Sequence, residues 1–130
     1  MTDAAFSEKF GVHKKRVKHP NYPECETDLW WIVKYTSEWD QEKAEELMKG
    51  GEDEGVMSPY VRVWDLRKPG VNSGALSIDH TWTPVNLRGM GLGEEVVRAV
   101  ETFAKLHVSG DFHVEATCSY AQKVLSKVAK

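Results

Sequence analysis

The segment Arg88-Gly89-Met90-Gly91-Leu92-Gly93 holds the residue types and spacing most suited to chemistry in this chain. Glycines at alternate positions leave backbone N–H groups unscreened by side chains. An apolar helical period begins at Leu92, so the loop runs into a helix. The first N–H groups of that helix lack partners and carry partial positive charge. Loop and helix together form an anion site suited to a phosphate or pyrophosphate. A nucleoside-triphosphate loop requires Gly-Lys-Ser/Thr, but Gly93 is followed by Glu94 and Glu95. A dinucleotide fingerprint requires glycine where Glu94 stands, so that reading fails too. The two acids repel an anion, and the loop donors with Arg88 must outweigh them.

A second group of reactive residues lies on either side of this loop. Ser77, Ile78, His80 and Trp82 suit an extended segment that Pro84 ends. Cys118 follows a strand pattern and precedes a helix pattern, and a helix N-terminus favours a thiolate. The same cysteine also fits a small buried apolar residue. His80 is a base or an orienter of the cysteine, or else a hydrogen-bonded structural histidine facing Leu76, Ile78 and Trp82. Asp79 and Glu115 are spare carboxylates on strand ends, read as solvated or ion-paired, with Glu115 the base if Cys118 is passive.

The elements that must position these groups follow from periodicity. Asp28 to Thr36 is a strand with both faces apolar: Leu29, Trp31, Val33 and Tyr35 on one, Trp30, Ile32 and Lys34 on the other. Ser37 reads as an N-cap for a helix from about Glu38 to Lys49, ended by Gly50-Gly51. That helix is expected to cover the Trp30 and Ile32 face. Glu52 to Gly55 reads as an exposed loop. Tyr60 to Lys68 and Ala75 to Thr83 are strands joined by a short turn, hence antiparallel. Leu92 to about Val108 is an amphipathic helix, with Leu92, Val96, Val97, Val100, Phe103, Ala104 and His107 on one face. Phe112 to Thr117 is a strand, and Tyr120 to Ala129 a last helix capped by Ser119.

A strand–loop–helix–strand unit crosses over right-handedly, which makes its two strands parallel. Ligands of such units bind at the carboxyl ends of the strands. This order brings His80 to Thr83 and Cys118 to Tyr120 beside one crevice with the glycine loop.

Arg88-x-x-Gly91-x-Gly93 resembles the coenzyme A loop of the GNAT N-acetyltransferase superfamily. His80-Thr81-Trp82-Thr83-Pro84 before it and Cys118-Ser119-Tyr120 after the helix resemble the small GNAT-like branch of that superfamily. The likeness covers roughly Ser58 to Ala121. It implies an α/β (α+β) fold with a mixed, mostly antiparallel sheet, a parallel strand pair flanking the cofactor, and helices on the faces. It implies an acetyl-CoA-dependent N-acetyltransferase; the alternative is a non-catalytic CoA- or acyl-CoA-binding module. Cofactor contacts would come from Thr81, Trp82, Thr83, Arg88, Gly89, Met90, Gly91, Leu92, Gly93 and Tyr120. Cys118, with His80, would be catalytic, the thiol either taking the acetyl group or lining the pocket. Tyr120 would protonate the leaving CoA thiolate or pack on the pantetheine arm. The Ser37–Gly55 insert departs from the small branch and leaves the acceptor open. Its acids suit a basic acceptor such as a lysine side chain or polyamine.

The 130 residues suit a single domain, 1–130, with residues 1–27 read as an irregular arm. The net charge of −3 gives no global argument for nucleic acid. No apolar run approaches the ~20 residues of a membrane span. Cys25 and Cys118 lack metal-type spacing, and no metal is expected. A reduced, cytoplasmic protein is expected. Lys14-Lys15-Arg16-Val17-Lys18 leaves three readings open: a nuclear import signal, an anion patch or a solvated arm.

Overall fold

Apolar residues at both parities of one strand require cover on both sides. The computed structural model, which describes residues 2–36, 41–50, 56–67 and 74–128, has that arrangement. The chain runs α1 (Asp3–Lys9), β1 (Phe10–Lys18), β2 (Glu26–Lys34), α2 (Gln41–Met48), β3 (Tyr60–Asp65), β4 (Ala75–Trp82), α3 (Leu92–His107), β5 (His113–Ala116) and α4 (Ser119–Val128). The strands form one five-stranded sheet in sequence order. β1 to β4 pair antiparallel; β4 and β5 pair parallel, as the crossover through α3 demands. This is the mixed α+β sheet that the sequence implied.

One face of the sheet carries the main core. Trp30, Ile32, Val61, Val63, Leu76 and Ile78 meet Val96, Val97, Val100 and Phe103 of α3 and Ala121 and Val124 of α4. The other face is smaller, built from Leu29, Trp31, Val33 and Tyr60 with Leu47 and Val56. α2 therefore covers the Trp31 face and not the expected Trp30 face. The Trp30 face is already filled by α3 and by Phe6 of α1. Trp30 and Phe103 meet edge to face at 5.3 Å, and Phe6 lies 5.7 Å from Phe103. The expected Ser37 cap and the Glu52–Gly55 loop lie outside the described residues.

The irregular N-terminal arm is corrected by the structure. Thr2 caps α1 by accepting from the Ala5 N–H, and β1 pairs with β2 along its whole length. α1 has 7 residues and buries one, Phe6, too few for a period to be visible. The basic run forms the second half of β1, an edge strand. Its charges blunt a free edge that would otherwise pair with another chain. Lys14 lies over the rings of Trp30 and Phe103, at 5.2 Å from each.

Among the described residues, no helix is long and apolar enough to cross a membrane.

Candidate functional site

β4 is held to β3 as far as Trp82, but its parallel pairing with β5 stops at Ile78 and Ala116. The carbonyl of Ile78 accepts from the N–H groups of both Thr117 and Cys118. Beyond it the two strands part. The divergence coincides with a break in the β3–β4 register: Val63 faces Ile78, whereas Arg62 faces His80. Asp79 is the extra residue, a β-bulge, which bends its strand and re-aims the side chains after it.

The split opens a cleft of about 610 Å3. One wall is the end of β4, Thr81, Trp82 and Thr83. The other includes Tyr120 at the start of α4, and the floor is the glycine loop with the first turn of α3. A 3-10 turn, Val85–Leu87, leads from Pro84 into the loop. Gly89 and Gly91 have φ of +84° and +79° with open space beside them. Their glycine character serves a backbone that side-chain-bearing residues rarely adopt. Gly93 is glycine for a different reason. A Cβ there would stand 2.7 Å from the Tyr120 hydroxyl oxygen and 3.0 Å from Thr83 Oγ1. Tyr120 packs directly on the helix start.

No side chain caps α3, so the N–H groups of its first turn keep no partner from its cap residue, Gly91. The two acids of this first turn, which would repel an anion, are engaged. Glu94 accepts from Arg98 at 3.2 Å and lies 3.7 Å from Lys127; Glu95 pairs with Lys34 at 2.6 Å. Arg88 stacks over the Trp82 ring at 5.4 Å, and its Nε donates to the Thr83 carbonyl at 3.0 Å. The arginine thus ties the loop to the end of β4.

Nine of the ten expected cofactor residues line the cleft; Met90 is exposed and does not. Leu87, Glu94 and Lys127 also line it. Sequence reasoning read Glu94 only as an obstacle. Lys127 stands in the last turn of a helix with no motif around it, and only tertiary packing brings it to the cleft.

Cys118 packs against the main core and is joined to the cleft wall through Thr81, whose hydroxyl lies 3.5 Å from Sγ. Burial pushes the thiol up. The Thr81 hydroxyl and the main-chain N–H groups of Ala121, Tyr120 and Thr81 outweigh it, so the thiol sits below its ordinary value. Partial burial and then the Glu94 carboxylate hold the Tyr120 phenol above its ordinary value, so it keeps its proton.

His80 does not join Cys118. The extra residue at Asp79 reverses the parity of β4, turning His80 and Trp82 to the smaller core face. His80 lies 5.7 Å from Tyr60, ring to ring, and Trp82 donates to the Val56 carbonyl at 2.9 Å. Asp79 is held by Arg62 on that same face. Glu115, exposed on β5, lies 3.3 Å from His113 and alternates away from Cys118. Cys25 and Cys118 are both free thiols.

A glycine loop and an uncapped helix start, set where a parallel strand pair splits, make a candidate anion site inside an α+β domain. A family model described as GCN5-related N-acetyltransferase matches residues 52–130. The chain belongs to this acyltransferase family. Comparisons with curated proteins and with solved structures give no match.

Proposed function

We propose that the chain is an acetyl-CoA-dependent N-acetyltransferase of one domain. The observation that carries this reading is the cleft at the β4–β5 split, with the glycine loop as its floor. The pyrophosphate of CoA would be held by the N–H groups of Gly89 to Gly93 with Arg88 beside them. The pantetheine arm would run along Thr81 to Thr83, leading the thioester toward Tyr120.

Thr81 and Tyr120 both line the cleft and both donate to Cys118. In this reading the Cys118 thiolate attacks the acetyl carbonyl. The bond from carbonyl carbon to CoA sulfur breaks, and the leaving thiolate takes the Tyr120 proton. An amine then attacks the cysteine thioester, the acetyl group moves to nitrogen, and Cys118 leaves as thiolate. The proton lost by the amine returns to Tyr120, so the cycle closes without a histidine base. The acceptor is an amine, and a lysine side chain or a polyamine suits the acids of residues 38–54.

One observation favours a second reading, a CoA-binding module without turnover: His80 faces away from Cys118. The discriminating experiment is calorimetry with CoA, followed by the mass of the protein after incubation with acetyl-CoA. Binding with an acetyl adduct on Cys118 is the expected result. Binding with neither adduct nor amine-dependent CoA release leaves the binding module. No binding overturns the cofactor reading.

A further inference from the structure

The smaller face of the sheet carries a polar cluster that the proposed reaction does not use. Arg62 donates to Asp79 through two nitrogens, Nε to Oδ1 and the terminal NH2 to Oδ2, each at 2.9 Å. Trp64 donates its indole N–H to Asp79 Oδ2, also at 2.9 Å. One carboxylate therefore receives three bonds from side chains of the neighbouring strand. Asp79 is also the extra residue of the β4 bulge, and Arg62 stands opposite the break.

We propose that the Arg62–Asp79–Trp64 cluster is a clamp that fixes the bulge, and that these residues position Thr81 against Cys118 from the far side of the sheet. A regular β4 would continue the parity of Leu76 and Ile78. His80 would then face the main core, and Thr81 would point away from Cys118. With the extra residue, Thr81 turns to the side of α4, where its hydroxyl meets Sγ. A bulge is a local distortion that something must favour over a regular ladder. The planar guanidinium meeting both carboxylate oxygens adds geometric specificity as well as attraction. The side chains of Arg62 and Asp79 are 34% and 23% exposed, so the pair is partly shielded from solvent. Arg62, Trp64 and Asp79 are positioning residues here, since they act through Thr81.

The inference rests on the proposed function only in treating Cys118 as the working thiol, and its test needs no CoA. In a Cys25→Ser background, the rate of Cys118 alkylation by iodoacetamide is followed against pH. Asp79→Ala should raise the midpoint by about 0.5–1 pH unit, slowing labelling at neutral pH by ~3–10-fold. Asp79→Asn keeps one acceptor oxygen and should give a smaller rise. Arg16→Met removes an ion pair between β1 and β2, Arg16 with Asp28, and should leave the midpoint unmoved. A folded Asp79→Ala protein with a lowered melting temperature and the parental midpoint would overturn the proposal, leaving a merely stabilising ion pair. Should Asp79→Ala not fold, Asp79→Asn decides: a raised midpoint supports the clamp and a parental one overturns it. CoA affinity of the unsubstituted protein tests the cofactor reading separately, so either can fail alone.

Discussion

The two faces of the sheet are built from alternate residues of the same strands but have different jobs. The helix-covered face holds a continuous core under α3 and α4, and Cys118 lies at its edge. The other face holds a smaller apolar cluster under the two turns of α2, with Asp79, His80 and Arg62 beyond it. Most of the hydrophobic stabilisation comes from the first face. The second contributes the bulge and so decides which β4 side chains look at the cleft. A one-residue change of parity in β4 separates a histidine from a cysteine that the linear sequence sets on neighbouring strand ends.

This difference in depth predicts the largest effect. Val97 is fully buried between α3 and the sheet, with no route to solvent short of unfolding. Val97→Asp should cost upwards of about 4 kcal/mol and leave little folded protein. Leu47 is also buried, but it belongs to an 8-residue helix that can undock. Leu47→Asp should cost only ~2–3 kcal/mol, the docking free energy of α2, and should lower the urea m-value because less surface remains to expose. Equal losses with equal m-values would mean that the two faces form one inseparable core.

Next in size are changes at the cleft floor. Gly93→Ala displaces the Tyr120 and Thr83 side chains from the cleft floor, because its Cβ would meet their oxygens at 2.7 and 3.0 Å. Gly91→Val strains the backbone at φ +79°, where an added Cβ meets nothing within 4 Å. Each should lower CoA affinity ten-fold or more, about 1.4 kcal/mol, by calorimetry. Unchanged affinity in folded variants of both would detach the loop from CoA.

The thiols sharpen the comparison further. Cys118 is held below its ordinary value, so its thiolate persists to lower pH than that of an ordinary cysteine. An acid whose folded-state value is depressed contributes stability above the unfolded value, lost as pH falls through the folded one. Cys118→Ala should therefore narrow the stability advantage seen at alkaline pH and leave acidic stability nearer the parent's. In labelling, Cys118 should stay reactive below the pH at which an ordinary thiol falls silent, and CoA should protect it. Cys118→Ala should keep CoA binding but lower acetyl transfer by ~100-fold or more if the acyl-enzyme is obligatory. A fall of under about three-fold would make direct transfer from CoA to the amine the operating route.

What the sequence made legible tracks how many residues each element commits to one face. α3 sets seven buried residues over 16 positions, so its period and its start at Leu92 were readable. The glycine loop was readable because positive φ at Gly89 and Gly91 is a demand of the local chain and needs no distant partner. β4 was readable as a strand but not as a bulged one. Nothing in Ser77-Ile78-Asp79-His80-Thr81 marks the extra residue until Arg62 and Trp64 are known to converge on Asp79. α1 and β1 were missed for want of apolar residues. β1 keeps Phe10, Gly11 and Val12 inward and then turns to lysines and arginine, held by β2 rather than by its own pattern. The cover for Trp31 was assigned to the wrong parity because β2 is apolar on both.

The smallest expected effect is also the most direct test of the parity argument. Before the bulge is known, His80 is the natural partner for Cys118: a titratable ring on the adjacent strand end, two residues beyond Ile78, whose carbonyl accepts from the Cys118 N–H. The structure turns that ring to Tyr60 on the far face and gives the thiol its donors from Thr81, Tyr120 and Ala121 instead. An imidazole on the far face of the sheet makes no hydrogen bond to Sγ, whose donors are Thr81, Tyr120 and Ala121. His80→Gln keeps a hydrogen-bonding side chain of similar reach on the Tyr60 face. It should change the Cys118 alkylation midpoint by no more than about 0.2 pH unit and the labelling rate by under two-fold. Thr81→Val, which removes the hydroxyl from the other side, should move both more. A midpoint that rises in His80→Gln and stays put in Thr81→Val would restore the histidine to the thiol and refute the bulged register of β4.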